Sequence, residues 1–446
     1  MGEIGNVEVF KGDKHEGKSV SLVIFENGKL IYKPRYSSNI VFFEKLSRYI
    51  ISKSNTSKDE NKLLFGNLLD RKTYSWQEFI EYVPCENSYD VKKFYYRSGI
   101  FLGLFYFLNT YDMHHENIIC NNGYPFIVDL ETISKAIIID LSSTTLYRDL
   151  SSSVLNSSFI PYYSESSVFD INMSGLLSET DMSETQSEYI LTESEDGDIA
   201  YEEVAAGVYV DKNKPQLGDL DLSKKSIENS ILSGFSCCCE IVFENKNEFI
   251  KIIQDFFDNN ELKCRQLLRP TQVYHEFIQA SFHPSITSSN EKYNKLLNIL
   301  YKNFKISKHG YLRVEKEVDE IKQLNIPLLY TKTDSLHLYS NKDTIVCKNY
   351  YGITIRDNII NKIKKFSLKD IDRQKNIISQ SILTTFSDDD FGFTKIKEKS
   401  NAHKLEIKDV NRMVAEYMDS IKLRECMLSN DFSTIYIPYL VQNKHF

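Results

Sequence analysis

Residues 112 to 131, DMHHENIICNNGYPFIVDLE, limit what this chain can fold into more than any other stretch. They follow a long apolar segment, Phe94 to Leu108, and pass through polar residues into two β-rich runs, Ile118-Ile119-Cys120 and Phe126-Ile127-Val128. Asn121-Asn122-Gly123 joins the runs, and Asn-Gly between apolar runs is a hairpin signal because both residues accept the positive φ of a tight turn. The layout is therefore helix, polar loop, hairpin, acid. Asp112 opens the loop, Asn117 comes five positions later, and Asp129 follows the hairpin.

In enzymes that move phosphoryl groups this order has a mechanical meaning. One Asp orients or deprotonates the attacking hydroxyl, an Asn and a second Asp hold Mg²⁺, and the hairpin fixes the distance between them. Hard oxygen ligands suit Mg²⁺, which takes a few carboxylates plus phosphate oxygens rather than a full protein cage. Asp-x-x-x-x-Asn alone is a frequent coincidence, so a plain polar loop between helix and hairpin is the competing reading.

Upstream, residues 19 to 34, SVSLVIFENGKLIYKP, form the clearest hairpin, turning at Glu26-Asn27-Gly28 and leaving Lys33 at the exit of its second strand. Such a Lys is either a snorkelling edge residue or the strand lysine that grips nucleotide phosphates. Asn39 to Ser52 has a helical rhythm in Val41, Phe42, Leu46, Tyr49 and Ile50, and Glu44 on it is either a partner for Lys33 or a solvated surface acid. Residues 51 to 62 are polar and read as a surface loop, and Tyr74 to Val83 carries the single Trp before Pro84 stops it. Asp90 is a candidate cap for the helix that leads into the central loop.

Composition narrows the class. A chain of 446 residues with 41% hydrophobic residues can bury a large core, as two or three domains or one two-lobed unit. A formal net charge of −8 argues against broad nucleic-acid binding. The eight Cys show no Cys-x-x-Cys spacing, and Cys237-Cys238-Cys239 leaves too little room for a zinc site, so reduced thiols in a cytoplasmic protein are expected. No signal-peptide core and no membrane-spanning apolar run is present, so the protein is not expected to be integral to a membrane.

Past the hairpin, no Lys or Arg occurs between Arg148 and Lys212, while acids and hydroxyls crowd Ser164 to Glu203, which reads as a mobile acidic loop or a solvated insertion. Lys246 to Asp258 is an amphipathic helix. Cys264 to Tyr274, CRQLLRPTQVY, offers Arg265 and a Thr271 that can cap a helix over Gln272 to Ser281. Residues 286 to 446 alternate helices and short strands, with a capping-box pattern at Ser367-Leu-Lys-Asp370 and a further helix over Asp409 to Leu428.

Taken in order, Gly12-Asp13-x-His15, Gly17-Lys18-Ser19-Val20, Tyr32-Lys33-Pro34-Arg35, Tyr74-x-Trp76-x-Glu78-Phe79, Phe94-Tyr95-x-Arg97-x-Gly99, Asp112-x-His114-x-Glu116-Asn117 and Asp129-Leu130-Glu131-Thr132 resemble the dehydratase region of LanM-type (class II) lanthipeptide synthetases. The resemblance runs through nearly the whole chain. It implies an α+β, two-lobed, lipid-kinase-like fold with extra helices, using ATP and Mg²⁺ to phosphorylate Ser and Thr of a precursor peptide and then eliminating the phosphate to dehydroalanine or dehydrobutyrine. Carried over by motif, Lys33 contacts nucleotide phosphates, Asp112 is the catalytic Asp with His114 beside it, Asn117 and Asp129 hold Mg²⁺, and Asp13 and His15 stand in the active centre. Adjacent side chains point different ways, so of His114 and His115 it is His114, the one in the motif, that is expected in the site. Arg265 and Thr271 match residues assigned to elimination, where an Arg fork suits a leaving phosphate.

Implied divisions are 1–85 for the N-lobe, 86–148 for the catalytic core, 149–214 for an activation-loop-like acidic segment, and 215–446 for the remaining C-lobe. Two departures stand out. Asn325 occupies a position where the family usually has Asp, and the family's N-terminal helical region and zinc-dependent cyclase have no counterpart, so zinc and thioether cyclisation are not expected of this chain. The expected partners are the precursor peptide and a separate cyclase or N-terminal helper polypeptide. The competing expectations are a kinase that stops at the phosphorylated product and a catalytically incomplete peptide-binding partner of a full synthetase.

Overall fold

The computed structural model describes residues 1–9, 15, 17–35, 37–54, 63–71, 73–138, 149, 151–161, 172–178, 187–193, 199–205, 212–216, 223–301 and 308–385. Helices and antiparallel sheets are mixed in an α+β arrangement. The chain begins with β1 (Ile4–Glu8), and the expected hairpin follows as β2 (Ser21–Phe25) and β3 (Gly28–Lys33), in register from Ser21 opposite Tyr32 to Phe25 opposite Gly28. After α1 (Ser38–Lys53), β4 (Leu68–Asp70) and β5 (Ser75–Glu78) complete a five-stranded antiparallel sheet in the order β1-β2-β3-β5-β4. The α1 helix buries Ile40, Phe42, Phe43, Leu46 and Ile50; of the residues whose spacing announced the helix, Phe42, Leu46 and Ile50 face inward, Tyr49 is half-buried and Val41 is exposed.

At the centre lies α2 (Ser88–Leu108), apolar on nearly every face and buried accordingly. Its cap is Asn87, whose Oδ1 accepts from Tyr89 and Asp90 N–H, while Asp90 accepts from Asn87 Nδ2 at 2.7 Å. The cap therefore sits three residues before the one expected, with Asp90 as its first-turn acid. Arg97, fully buried on α2, donates to the Gly123 carbonyl at 2.5 Å and lies 3.8 Å over the Tyr124 ring. That clamp fixes the hairpin β6 (Ile118–Asn121) and β7 (Tyr124–Ile127), whose turn residues Asn122 and Gly123 have φ of +43° and +77°.

A third hairpin, β8 (Ser187–Glu193) with β9 (Ile199–Ala205), falls in the acidic stretch. The other described parts of that stretch are packed: Val154, Phe159, Ile160 and Leu176 are fully buried. Next, α3 (Lys224–Glu244) lies on α2 at backbone contact. A Cβ on Gly99 would sit 2.2 Å from the Ile231 carbonyl oxygen, and one on Gly234 1.9 Å from that of Tyr96. Cys238 and Cys239 serve this close packing, and burial pushes their thiols well up.

The chain continues as α4 (Lys246–Asn259), β10 (Lys263–Arg265), α5 (Thr271–Ser281), α6 (Pro284–Thr287), α7 (Asn290–Asn298), α8 (Lys308–Lys322), β11 (Leu329–Lys332), β12 (Leu338–Ser340), β13 (Ile345–Cys347), α9 (Ile355–Lys365) and α10 (Leu368–Thr385). The last four strands form one sheet in the order β10-β11-β12-β13. Residues from α5, α7 and α8, among them Tyr274, Leu297, Val314 and Ile321, build a second, smaller core. The Ser367 box forms, its N–H and Oγ both donating to Asp370 Oδ2. The expected helix over Asp409 to Leu428 lies outside the described residues. No described helix is long and apolar enough to cross a membrane.

On α9, Lys362 Nζ donates to the carbonyls of Tyr106 and of Ser152, the former belonging to the last turn of α2. Burial brings this ammonium down to about 7, against the pull of Cys239 and Asp370. Between pH 7 and the ordinary Lys range the unfolded chain holds a proton that the folded one does not, so this group's contribution to stability rises with pH, by at most about 1.4 kcal/mol per unit. Thermal melts across that window should show the rise, and Lys362→Met should flatten it; equal slopes in both proteins would refute the assignment.

Candidate active site

The main chain brings the acids together. At the end of α2, Asn109 takes φ +57° and turns the chain alongside residues 131–135. There Thr110 Oγ1 donates to the Ile133 carbonyl, Tyr111 N to the Thr132 carbonyl, Thr132 Oγ1 back to the Tyr111 carbonyl, and Lys135 N to the Asn109 carbonyl, at 2.6–3.3 Å. Asp112 itself has φ +61°, a strained conformation that Asp tolerates better than most residues. Asn117 closes the loop, its Nδ2 donating to the Asp112 carbonyl at 2.8 Å and its own carbonyl accepting Val128 N at 2.9 Å. Helix, loop, hairpin and acid thus follow in the order read from the sequence.

Lys33, at the end of β3, is buried and donates to the Val128 carbonyl at 2.6 Å, one residue before Asp129. Arg35 Nη2 reaches Asp129 Oδ2 at 2.9 Å and Glu131 Oε1 at 2.5 Å, and Arg265 Nη1 stands 3.5 Å from the same Glu131 oxygen. Burial works against the charge of Asp129, yet Lys33, Arg35, the Glu131 N–H and Arg265 together hold its carboxyl well below the usual carboxylate range. Burial lowers the Lys33 ammonium, opposed by Asp129 and reinforced by Arg35. Asp112 behaves oppositely to Asp129: burial raises its carboxyl, and His114 and Arg265 offset this only in part. One acid is therefore held ionised and the other is made more basic, the division of labour expected of a metal ligand and a proton acceptor.

Of the remaining candidates, His114 adjoins this centre. His114 caps the short 3₁₀ turn His115–Asn117, its Nδ1 accepting the Glu116 N–H at 3.4 Å, and its effect on Asp112 places it at the site. His115 is held from the side, its N–H donating to the Met173 carbonyl. His15 is buried and its Nδ1 bonds the Ile326 carbonyl at 2.8 Å, while Gly17 N donates to Asn325 Oδ1 at 3.2 Å. Asn325 also offers Nδ2 to Glu320, a bond that an Asp could not donate, which accounts for the amide at this position. Asp13 lies outside the described residues. Glu44 does not meet Lys33: it pairs with Arg48 one turn along α1 at 2.5 Å. Thr271 is the first residue of α5, not its cap, because Pro270 precedes it and no side chain caps the helix.

Three contributors were not singled out from the sequence: Arg35, Glu131 and Tyr111. Arg35 and Glu131 each stand two positions past a residue that was, and their opposite charges within the quoted motifs are the signal that could have found them. Tyr111 orders Arg265, its hydroxyl donating to the Arg265 carbonyl and accepting from Leu267 N, each at 2.8 Å.

The donor set fits Mg²⁺ carried on phosphate. Asp129 is a firmly ionised carboxylate, and Asn117, having committed its N–H to Asp112, keeps Oδ1 as a hard oxygen donor. Among the described residues no group of three or more His, Cys, Asp or Glu gathers as a closed metal cage, and an ion that shares its shell with phosphate oxygens needs none. Lys33 and Arg35 beside Asp129 supply cationic donors for those oxygens.

A family profile described as a domain of unknown function, DUF4135, matches residues 1–332, from β1 to β11, and so takes in every residue of the network. The chain is also similar to the lacticin 481/lactococcin biosynthesis protein LcnDR2 of Lactococcus lactis subsp. lactis, with 26% identity over 385 residues, which cover 83% of this chain and 40% of that protein. The chain therefore spans about two-fifths of the length of that curated relative.

Proposed function

The chain belongs to the DUF4135 family, and from that premise we propose that it modifies a ribosomally made precursor peptide, phosphorylating Ser and Thr with ATP and then eliminating the phosphate to leave dehydroalanine or dehydrobutyrine. One observation carries the reading: Lys33, Arg35, Asp112, Asn117, Asp129 and Arg265 converge on a single centre although they come from three distant parts of the chain. In chain order a five-stranded sheet with α1 precedes a helical unit built around α2, the order of parts expected of a two-lobed kinase-like fold.

Bound MgATP supplies the phosphoryl group and screens the charge on it. Asn117 and Asp129 would hold the ion, and Lys33 and Arg35 would offer cationic donors to the phosphate oxygens. Asp112 accepts the proton from the attacking peptide hydroxyl, with His114 at its side. In the second step Arg265 offers its guanidinium to the phosphate as the C–O bond breaks.

Incubating the protein with ATP, Mg²⁺ and the precursor peptide encoded beside its gene, then weighing the peptide, tests the whole reading. Gain of phosphate followed by loss of phosphoric acid is the expected course. Phosphate that stays on the peptide leaves a kinase alone, and peptide that binds but keeps its mass sinks both enzymatic steps.

A further inference from the structure

The acidic side of the site carries one carboxylate more than the metal needs. Glu131 Oε1 lies between two guanidinium groups, Arg35 at 2.5 Å and Arg265 at 3.5 Å, and its backbone carbonyl accepts Arg265 N at 2.9 Å. Tyr111 holds the other side of the Arg265 backbone, so β10 is pinned between the catalytic loop and the acid segment. With the backbone fixed, the Glu131 carboxylate orients the Arg265 side chain. The pair is largely shielded, with side-chain exposures of 12% and 16%, so it is weakened less by solvent than a surface ion pair.

Arg35 is shared between Asp129 and Glu131. The result is a continuous row, Asp129, Arg35, Glu131, Arg265, in which charges alternate. One end holds the acid expected to grip the metal during phosphate addition, and the other holds the cation expected to receive the phosphate on release.

Resting on the reading of the site as one for phosphorylation and elimination, we infer that Glu131 is a positioning residue for the second step. It sets the Arg265 guanidinium toward the departing phosphate and couples that setting, through Arg35, to the metal-binding acid. Glu131 itself exchanges no proton: in elimination a general base takes the Cα proton, its bonding pair forms the alkene, and the C–O pair leaves with the phosphate. Without the carboxylate, Arg35 keeps Asp129 as a partner at 2.9 Å, whereas the Arg265 guanidinium loses its contact with Glu131 Oε1 at 3.5 Å. The second step is therefore the one to suffer.

Glu131→Gln keeps the size and the hydrogen-bonding oxygen while removing the charge. Given the phosphoserine form of the precursor peptide, with nucleotide and Mg²⁺ present, this variant should eliminate about 10- to 100-fold more slowly in kcat with little change in KM. Phosphorylation of the unmodified peptide should fall by a smaller factor than elimination does, so phosphopeptide accumulates. Arg265→Ala should trap phosphopeptide too, and adding Glu131→Gln to it should slow elimination no further, because the residue through which Glu131 acts is gone. Should Glu131→Gln fail to fold, Glu131→Asp, with the charge kept but the reach shortened, should show the same selective slowing in milder form. Equal loss of both steps, or additive losses in the double variant, overturns the inference while leaving the two-step function standing. A wild-type protein that neither phosphorylates nor eliminates overturns both.

Discussion

Asp112→Asn should lower phosphoryl transfer to the peptide by about 10²- to 10⁴-fold while leaving the peptide bound, because it keeps the shape of the loop and removes the proton acceptor. The wild-type rate should also reveal the raised carboxyl. Burial disfavours the ionised form of Asp112, with Asp129 and Glu131 adding to the effect and His114 and Arg265 opposing it. As pH falls through that raised pKa the acceptor becomes protonated and the rate drops, so the acid limb of kcat/KM should lie above the ordinary Asp value of about 3.9. Removing an opposing cation, as in His114→Ala, should move the limb further up. Initial rates by mass spectrometry across the acid range decide the matter, and a limb at the ordinary Asp position would show that Asp112 is not the acceptor.

Gly234→Ala should be the most damaging glycine-to-alanine change among the described residues. Its new Cβ would fall 1.9 Å from the Tyr96 carbonyl oxygen and 3.0 Å from Ile100 N, both backbone atoms of α2 that cannot turn aside. The two helices must then part, undoing the packing of α2 on α3 around Gly99, Gly103 and Cys238. A loss of about 3 kcal/mol or more is expected, at the upper end of overpacking effects, and it should appear as a lowered denaturation midpoint or loss of soluble protein. Gly5→Ala is the control, since its Cβ would meet only the Ile24 carbonyl at 3.7 Å, and it should stay within about 0.5 kcal/mol of wild type. A Gly234→Ala protein as stable as that control would mean the helices have slack where none is expected.

The elements that could be read from the sequence are those whose signals are local. Asn-Gly pairs marked the β2–β3 and β6–β7 hairpins, helical spacing marked α1 itself, and the Ser367 box marked the start of α10, because each depends on residues within a turn or two of one another. Pairings across the fold were not legible in the same way. Whether Glu44 turns to Lys33 or to Arg48 depends on which face of α1 the core takes, and Arg48 won. The bond from His15 to the Ile326 carbonyl joins positions 311 residues apart, and no periodicity announces it. Likewise Ser153 to Ile160 lacks the charge of its surroundings and is buried under the catalytic loop, where Met113 N donates to the Ser157 carbonyl. In the site, Lys33, Asp112, Asn117 and Asp129 could be picked out by motif, whereas the ion pairs that Arg35 makes with Asp129 and Glu131 join segments about 94 residues apart and no local spacing announces them.

The link from His15 and Gly17 to Ile326 and Asn325 has a mechanical consequence. The turn at His15 to Lys18, closed by reciprocal backbone bonds at 2.9 Å, belongs by sequence to the five-stranded sheet, yet its tether lies at the foot of α8, beside the smaller core. Moving this turn must either break its bonds to Ile326 and Asn325 or carry the end of α8 with it. The start of the sheet and the smaller core are thereby joined mechanically across more than 300 residues of sequence, so a lesion in the small core would be felt at this turn.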